Sequence, residues 1–150
     1  MKILCISDTH SLHDQIPQEW FVEADMIIHA GDCTNKGYDF EALDFLEWFS
    51  KLNYKYKILI AGNHDFWFEK YPTEVYSVLK NQFPGITYLQ DSGIEIEGIK
   101  IWGSPQTPYF FNWAFNCARN DNENYLYRKP LIKDYWNLIP KDTNILVHFS

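Results

Sequence analysis

Disulfide chemistry is the first thing this chain lacks. Its 150 residues include only three cysteines, Cys5, Cys33 and Cys117, odd in number, far apart and without a C-x-x-C pair. That excludes a disulfide framework and a thiolate zinc clip, so a reducing compartment and a cytoplasmic location are expected. Long apolar runs are missing too, and no stretch approaches the length that spans a bilayer. The N-terminal MKILCISDTH meets Asp8 too early for a secretory signal, and no membrane partner is expected. Basic residues are scarce: 13 Lys and Arg stand against 20 Asp and Glu, a net charge of -7. Extended nucleic acid is therefore not an expected partner, because gripping its backbone needs Lys and Arg. A phosphate-bearing substrate would need positive charge from another source.

What is present is an ordinary globular composition, 46% apolar and 18% aromatic, with length for one domain and a sizeable core. Lys2–Ser7, Met26–Ala30 and Lys57–Ala61 are compact, Ile-rich runs that suit parallel strands covered on both faces. Between the second and third, Asp39 is placed to cap a helix whose Ala42, Phe45, Leu46, Phe49 and Leu52 form one apolar face. Pro72–Phe83 reads as a further helix, closed by Pro84-Gly85. Ile86–Leu89, Ile94–Glu97 and Ile99–Trp102 alternate as strands, the last two forming a hairpin through Glu97-Gly98. Gly103–Leu131 reads as loop, with a mobile polar stretch from Arg119 to Asn124, and Asn144–Val147 restores a strand. The fold class is α/β, with mixed β-sheet layers flanked by helices.

Chemistry gathers where the strands end. The first runs into Asp8-Thr9-His10, the second into Gly31-Asp32, the third into Gly62-Asn63-His64-Asp65. Singly, each is common turn chemistry. Together they put oxygen and imidazole ligands at three successive strand ends, which converge on one crevice in a parallel α/β sheet. Such donors suit manganese, iron or zinc, and Asp32 on the middle loop is the natural bridge between two ions. His13 is carried as a contact to a substrate phosphate, an exposed loop position being the plainer reading. His29 is expected buried and hydrogen-bonded, and Cys33 packed. Tyr109, Phe110, Phe111, Trp113 and Phe115 are aromatics that either stack on a nucleobase or pack as core or lid.

In order and spacing, the three strand-end motifs resemble the signature of the calcineurin-like metallophosphoesterases. Ser7–His10, His29–Asp32 and Gly103–Phe115 resemble the MPPED-type phosphodiesterase branch. The resemblance implies an αββα sandwich and two divalent ions, manganese first, with iron, zinc, nickel or magnesium as alternatives. It implies that Asp8 and His10 hold one ion, Asp32 bridges, and Asn63 holds the second. His64 would act at the leaving group and Asp65 would orient its imidazole. The implied reaction is hydrolysis of a phosphodiester in a small nucleotide-like substrate by hydroxide that two metals activate.

Two departures accompany the match. A final Gly-His-x-His element is absent, and His148, the candidate further ligand, comes one residue early on its strand, a shift that turns a side chain to the other face. The domain is thus expected to be incomplete at its C-terminus. The alternative function is a catalytically silent, truncated chain with residual metal binding.

Overall fold

In the computed structural model, which describes residues 1–149, the apolar runs become strands Ile3–Ile6 (β1), Met26–Ala30 (β2), Tyr56–Ile60 (β3) and Ile86–Tyr88 (β4). They pair in parallel in the order β1-β2-β3-β4. Alternation buries both faces of the middle strands. Ile27 and Leu59 join a helix-side cluster, while Met26, Ile28, Ile58 and Ile60 enter a second cluster on the opposite face.

The helix side carries Asp39–Lys51 (α1), Phe66–Lys70 (α2) and Pro72–Gln82 (α3). Ala42, Phe45, Leu46 and Phe49 are fully buried, as their spacing predicts. The cap differs from expectation, because Tyr38 holds the N-cap position and Asp39 is already helical. The Glu41 carboxylate accepts from the Tyr38 and Lys36 backbone N–H groups, at 3.0 Å each, and so satisfies the N-cap donor and one donor of the turn before it.

The other face of the first sheet packs on a second, of Ser92–Ile96 (β5) and Ile99–Ser104 (β6), which are antiparallel. Glu97 and Gly98 turn the hairpin with φ of 51° and 81°, as a two-residue turn of this hand requires. The segment expected to be loop holds two short paired strands, Thr107–Pro108 (β7) and Asn116–Cys117 (β8), and two helices, Asp121–Tyr127 (α4) and Ile132–Trp136 (α5). The supposedly mobile polar stretch is a helix start. Asn120 Oδ1 accepts from Glu123 N at 3.0 Å, and Glu123 Oε2 accepts from Arg119 N at 2.8 Å. Last, Ile145–His148 (β9) pairs in parallel with β6. Ile96, Ile101, Val147 and Phe149 meet the first sheet. The layers are helices, parallel sheet and mixed sheet, with α5 reaching the outer face of the mixed sheet, where Trp136 lies 6.3 Å from the His148 ring.

The sheets approach closely at Gly103, where an added Cβ would fall 2.7 Å from Ile60 Cγ2 and against Leu89. Gly103→Ala should therefore cost about 1–3 kcal/mol of stability in a urea titration. A variant as stable as the parent would refute this sheet separation.

Candidate metal centre

The three strand-end loops lie edge to edge. Asp8 N donates to Gly31 O, His10 N to Asp32 O and Ser11 N to Cys33 O, each at 3.0 Å. The geometry uses left-handed backbone: φ is 55° at Asp8, 43° at His10, 61° at Ser11 and 57° at Asp32. Such residues each cost about 1–3 kcal/mol and persist where surrounding contacts enforce them. Glycine is needed twice. Gly31 has φ of 109° and lies 3.0 Å, measured from an added Cβ, from Gly62 Cα. A Cβ on Gly62 would collide with the Asp32 carboxylate.

On this frame the side chains converge. His10 Nε2 is 3.8 Å from Asp8 Oδ1 and 3.7 Å from Asp32 Oδ2. Those separations are too long for hydrogen bonds and suit atoms that share one ion at about 2.0–2.2 Å each. Ligand atoms of His10, Asp32 and His64 all lie within 4.8 Å of one another. Each imidazole has its other nitrogen against a backbone carbonyl, His10 Nδ1 at 3.2 Å from Thr34 O and His64 Nδ1 at 2.7 Å from Asn35 O. A carbonyl only accepts, so each Nδ1 carries the proton and each Nε2 is free to bind a cation or receive a proton. Asn63 lies between Gly62 and His64, the two residues packed on Asp32, and its backbone O accepts from Ala114 N at 2.9 Å. Among the described residues its side-chain amide has no hydrogen-bond partner, which leaves its oxygen available. The oxygen and imidazole donors fit a divalent cation.

Three expected site residues are placed elsewhere. Asp65 does not face the His64 imidazole. Its fully buried carboxylate accepts from Thr34 Oγ1 at 2.6 Å, Gly62 N at 2.7 Å, Thr34 N at 2.9 Å and Cys33 N at 3.3 Å. The Asn35 carbonyl takes the orienting role, a backbone contact with no signal in sequence. His13 is neither exposed nor at the centre. It is 3% exposed, with its ring 4.9 Å from Trp48 and 5.6 Å from Phe45 on α1, and Nε2 3.2 Å from Asp44 Oδ2. Burial lowers its pKa, against the pull of Asp44. His148 projects from the outer face of β9, because alternation turns Val147 and Phe149 inward. An added Cβ on Gly31 would strike the Phe149 ring, so an apolar side chain covers that flank of the Gly31-Asp32 turn.

His29 is buried and hydrogen-bonded as expected. Gly31 N points at Nδ1, 3.4 Å away, which makes Nδ1 the acceptor and leaves Nε2–H to donate to Thr9 Oγ1 at 3.1 Å. Its burial, with His13 and His10 nearby, pushes its pKa down to about 3, so it stays neutral. It pins Thr9, between Asp8 and His10, to the strand that ends in Asp32. Trp113 was expected only within an aromatic group, and it packs 4.2 Å from the His64 ring. The rest of that group divides: Phe115 is core, Phe110 and Phe111 are exposed, and Tyr109 stacks on Tyr127 at 4.0 Å.

Asp32 is 3% exposed, and burial pushes its carboxyl up from 3.8 to about 6 with no cation present, Asp65 adding to the rise. The His64 N–H, donated at 2.8 Å, and the nearby imidazoles oppose it. A bound cation would reverse the preference.

A parallel sheet whose strand ends gather carboxylates and imidazole nitrogens at one place forms a candidate metal centre on an α/β fold. The sequence matches the profile described as calcineurin-like phosphoesterase over residues 1–150. It is 34% identical over 165 aligned residues to metallophosphoesterase domain-containing protein 1 of Homo sapiens, covering 97% of this chain and 47% of that protein. The mouse protein of the same name gives the same figures. The UPF0046 protein K07C11.7 of Caenorhabditis elegans is 32% identical over 161 residues, covering 98% of this chain and 50% of its own length. The chain belongs to the calcineurin-like phosphoesterase family, and it spans about half the length of these curated relatives.

Because its pKa is raised, Asp32 keeps a proton in the folded, metal-free chain that the unfolded chain releases above 3.8. Stability therefore falls as pH rises from 3.8 to about 6, by up to about 3 kcal/mol in all. Asp32→Asn keeps an acceptor for His64 N–H and removes this cost. In thermal melts of metal-free protein the variant should unfold at higher temperature than the parent at pH 7.5, with the gap closing towards pH 4, and Mn²⁺ should stabilise only the parent. A variant that melts lower at pH 7.5 would sink this account.

Proposed function

We propose that the chain is the catalytic domain of a metal-dependent phosphodiesterase that acts on a small, nucleotide-like substrate. The observation that carries this reading is the convergence of Asp8, His10, Asp32 and His64 from three loops, with both imidazoles fixed to present Nε2. Asp8, His10 and Asp32 would hold one divalent ion, and Asp32 with Asn63 a second. When bound, such ions would supply the positive charge that a chain of net charge -7 lacks and would lower the pKa of a nearby water. Asp32 would be ionised in this state.

His64 is assigned to the leaving group. Its Nδ1–H on the Asn35 carbonyl fixes the ring, so Nε2 is the nitrogen that would pass a proton to the departing oxygen. The Trp113 ring, 4.2 Å away, shields one side of the imidazole from water. The net charge of -7 favours a small ester over a long nucleic acid.

One observation favours a second reading, a chain that binds metal without turnover. His148 faces away from the centre and Phe149 lies against Gly31, so residues 1–149 offer a second ion few ligands, and affinity follows ligand number.

Purified protein with added Mn²⁺ should hydrolyse bis(p-nitrophenyl) phosphate, and Asp32→Asn should return the rate to background. His64→Ala should lower kcat roughly 10²–10⁴-fold while metal content, measured by elemental analysis, changes little. Turnover that survives chelation or Asp32→Asn contradicts the reading, and loss of metal from His64→Ala makes His64 a ligand instead.

A further inference from the structure

The His64 imidazole is tethered by one hydrogen bond, from Nδ1 to Asn35 O at 2.7 Å. A bond at one corner leaves the ring free to swing, because the torsion that turns an imidazole has broad minima, and Nε2 would swing with it. Two other rings touch His64: His10, 4.6 Å away and nearly perpendicular at 75°, and Trp113, 4.2 Å away and tilted by 35°. His10 is itself a candidate ligand, so Trp113 is the contact with no ion to serve.

Core packing does not account for where Trp113 lies. Its neighbours Ala114 and Phe115 belong to the helix-side cluster, whereas the indole is in neither apolar cluster and rests against a polar ring. The backbone around it is held by residues on either side of His64 in the chain. Ala114 N donates to Asn63 O at 2.9 Å, and Phe115 N donates at 2.8 Å to Oε1 of Glu69, in the helix α2 that opens two residues after His64. Phe66, also of α2, is stacked 6.4 Å from Trp113 with 24° between the planes. Buried Asn116 closes the 109–115 loop, its Nδ2 donating to Phe111 O at 2.7 Å and its Oδ1 accepting from Phe110 N at 3.3 Å. Phe111 and Phe115 have φ of 51° and 56°, left-handed backbone that bulky residues keep only where surrounding contacts enforce it.

We infer that Trp113 is a positioning residue: the 109–115 loop holds its ring against the His64 imidazole, which keeps Nε2 turned towards the ligand atoms of His10 and Asp32. The inference rests on the leaving-group role of His64 proposed above. Trp113 acts through His64, and Asn63 and Glu69 tie it to the same loop and helix that flank His64, so the indole is set in place by the segment that it steadies.

The test uses the full chain with Mn²⁺ on bis(p-nitrophenyl) phosphate and on diphenyl phosphate, whose phenoxide leaves less readily. Trp113→Leu should lower kcat about 10- to 100-fold with KM little changed, and more on diphenyl phosphate. Trp113→Phe, which keeps a ring, should restore most of the rate, and in a His64→Ala background Trp113→Leu should cost nothing further. Glu69→Ala loosens the loop and spares the indole, so it should show the same pattern in smaller measure and carries the test if Trp113→Leu does not fold. Independently of turnover, magnetic resonance of isotope-labelled histidine in the chain with Mg²⁺ should show the His64 Nδ1–H sharp in the parent and Trp113→Phe, and broadened by water exchange in Trp113→Leu. A loss equal on both esters, a loss that adds in full to that of His64→Ala, or an unchanged Nδ1–H overturns the inference even where Asp32-dependent hydrolysis is intact. A broadened Nδ1–H in a protein whose His64→Ala variant is as fast as the parent upholds Trp113 as the support of the ring and brings down the leaving-group role instead.

Discussion

A carboxylate shut away from water must be surrounded by donors, and Asp65 meets that condition by drawing them from two loops at once. Thr34 and Cys33 come from the loop that carries Asp32, and Gly62 from the loop that carries Asn63 and His64. Removing such an acceptor would orphan several buried N–H and O–H groups together, each costing about 1–3 kcal/mol. The placement of Asp32 against His64 N–H, and with it the shared ligand position, depends on this tie. His29 supplies the counterpart on the other side by joining the Asp8 loop to β2. Between them the two buried groups hold left-handed backbone that would otherwise relax.

The packing of the sheets explains why such ties are affordable. The middle strands are buried on both faces, under α1 on one side and β6 and β9 on the other, so the loops grow from a rigid base. Gly31 and Gly62 then let the second and third loops approach to backbone contact. These backbone contacts set the spacing of the candidate ligands, which suits a centre that must hold its charges in place.

Much of this was legible in the sequence, for identifiable reasons. β1, β2, β3 and α1 announce themselves through apolar runs and helical spacing, and the polar residues after each strand follow from parallel topology. His148 illustrates a partial reading: its place at the end of a strand makes it a candidate ligand, and alternation along β9 turns its side chain to the outer face instead. What escaped depended on partners distant in sequence. Asp65 sits beside His64 in the chain, yet its donors Cys33 and Thr34 lie about thirty positions earlier, and a backbone carbonyl such as that of Asn35 leaves no compositional mark. His13 looked like a loop residue because only the fold brings α1 over it. The start of α4 was missed although Asn120 and Glu123 have capping spacing, since the surrounding polarity suggested disorder.

The strand order of the first sheet follows the order of the sequence, and Asp8, His10, Asp32, Asn63 and His64 all fall within its first 65 residues. On a ribosome these candidate site residues therefore emerge before the β5–β6 hairpin has been translated. One face of their sheet is then still bare, so the loops that carry these residues are made before the layer that covers them.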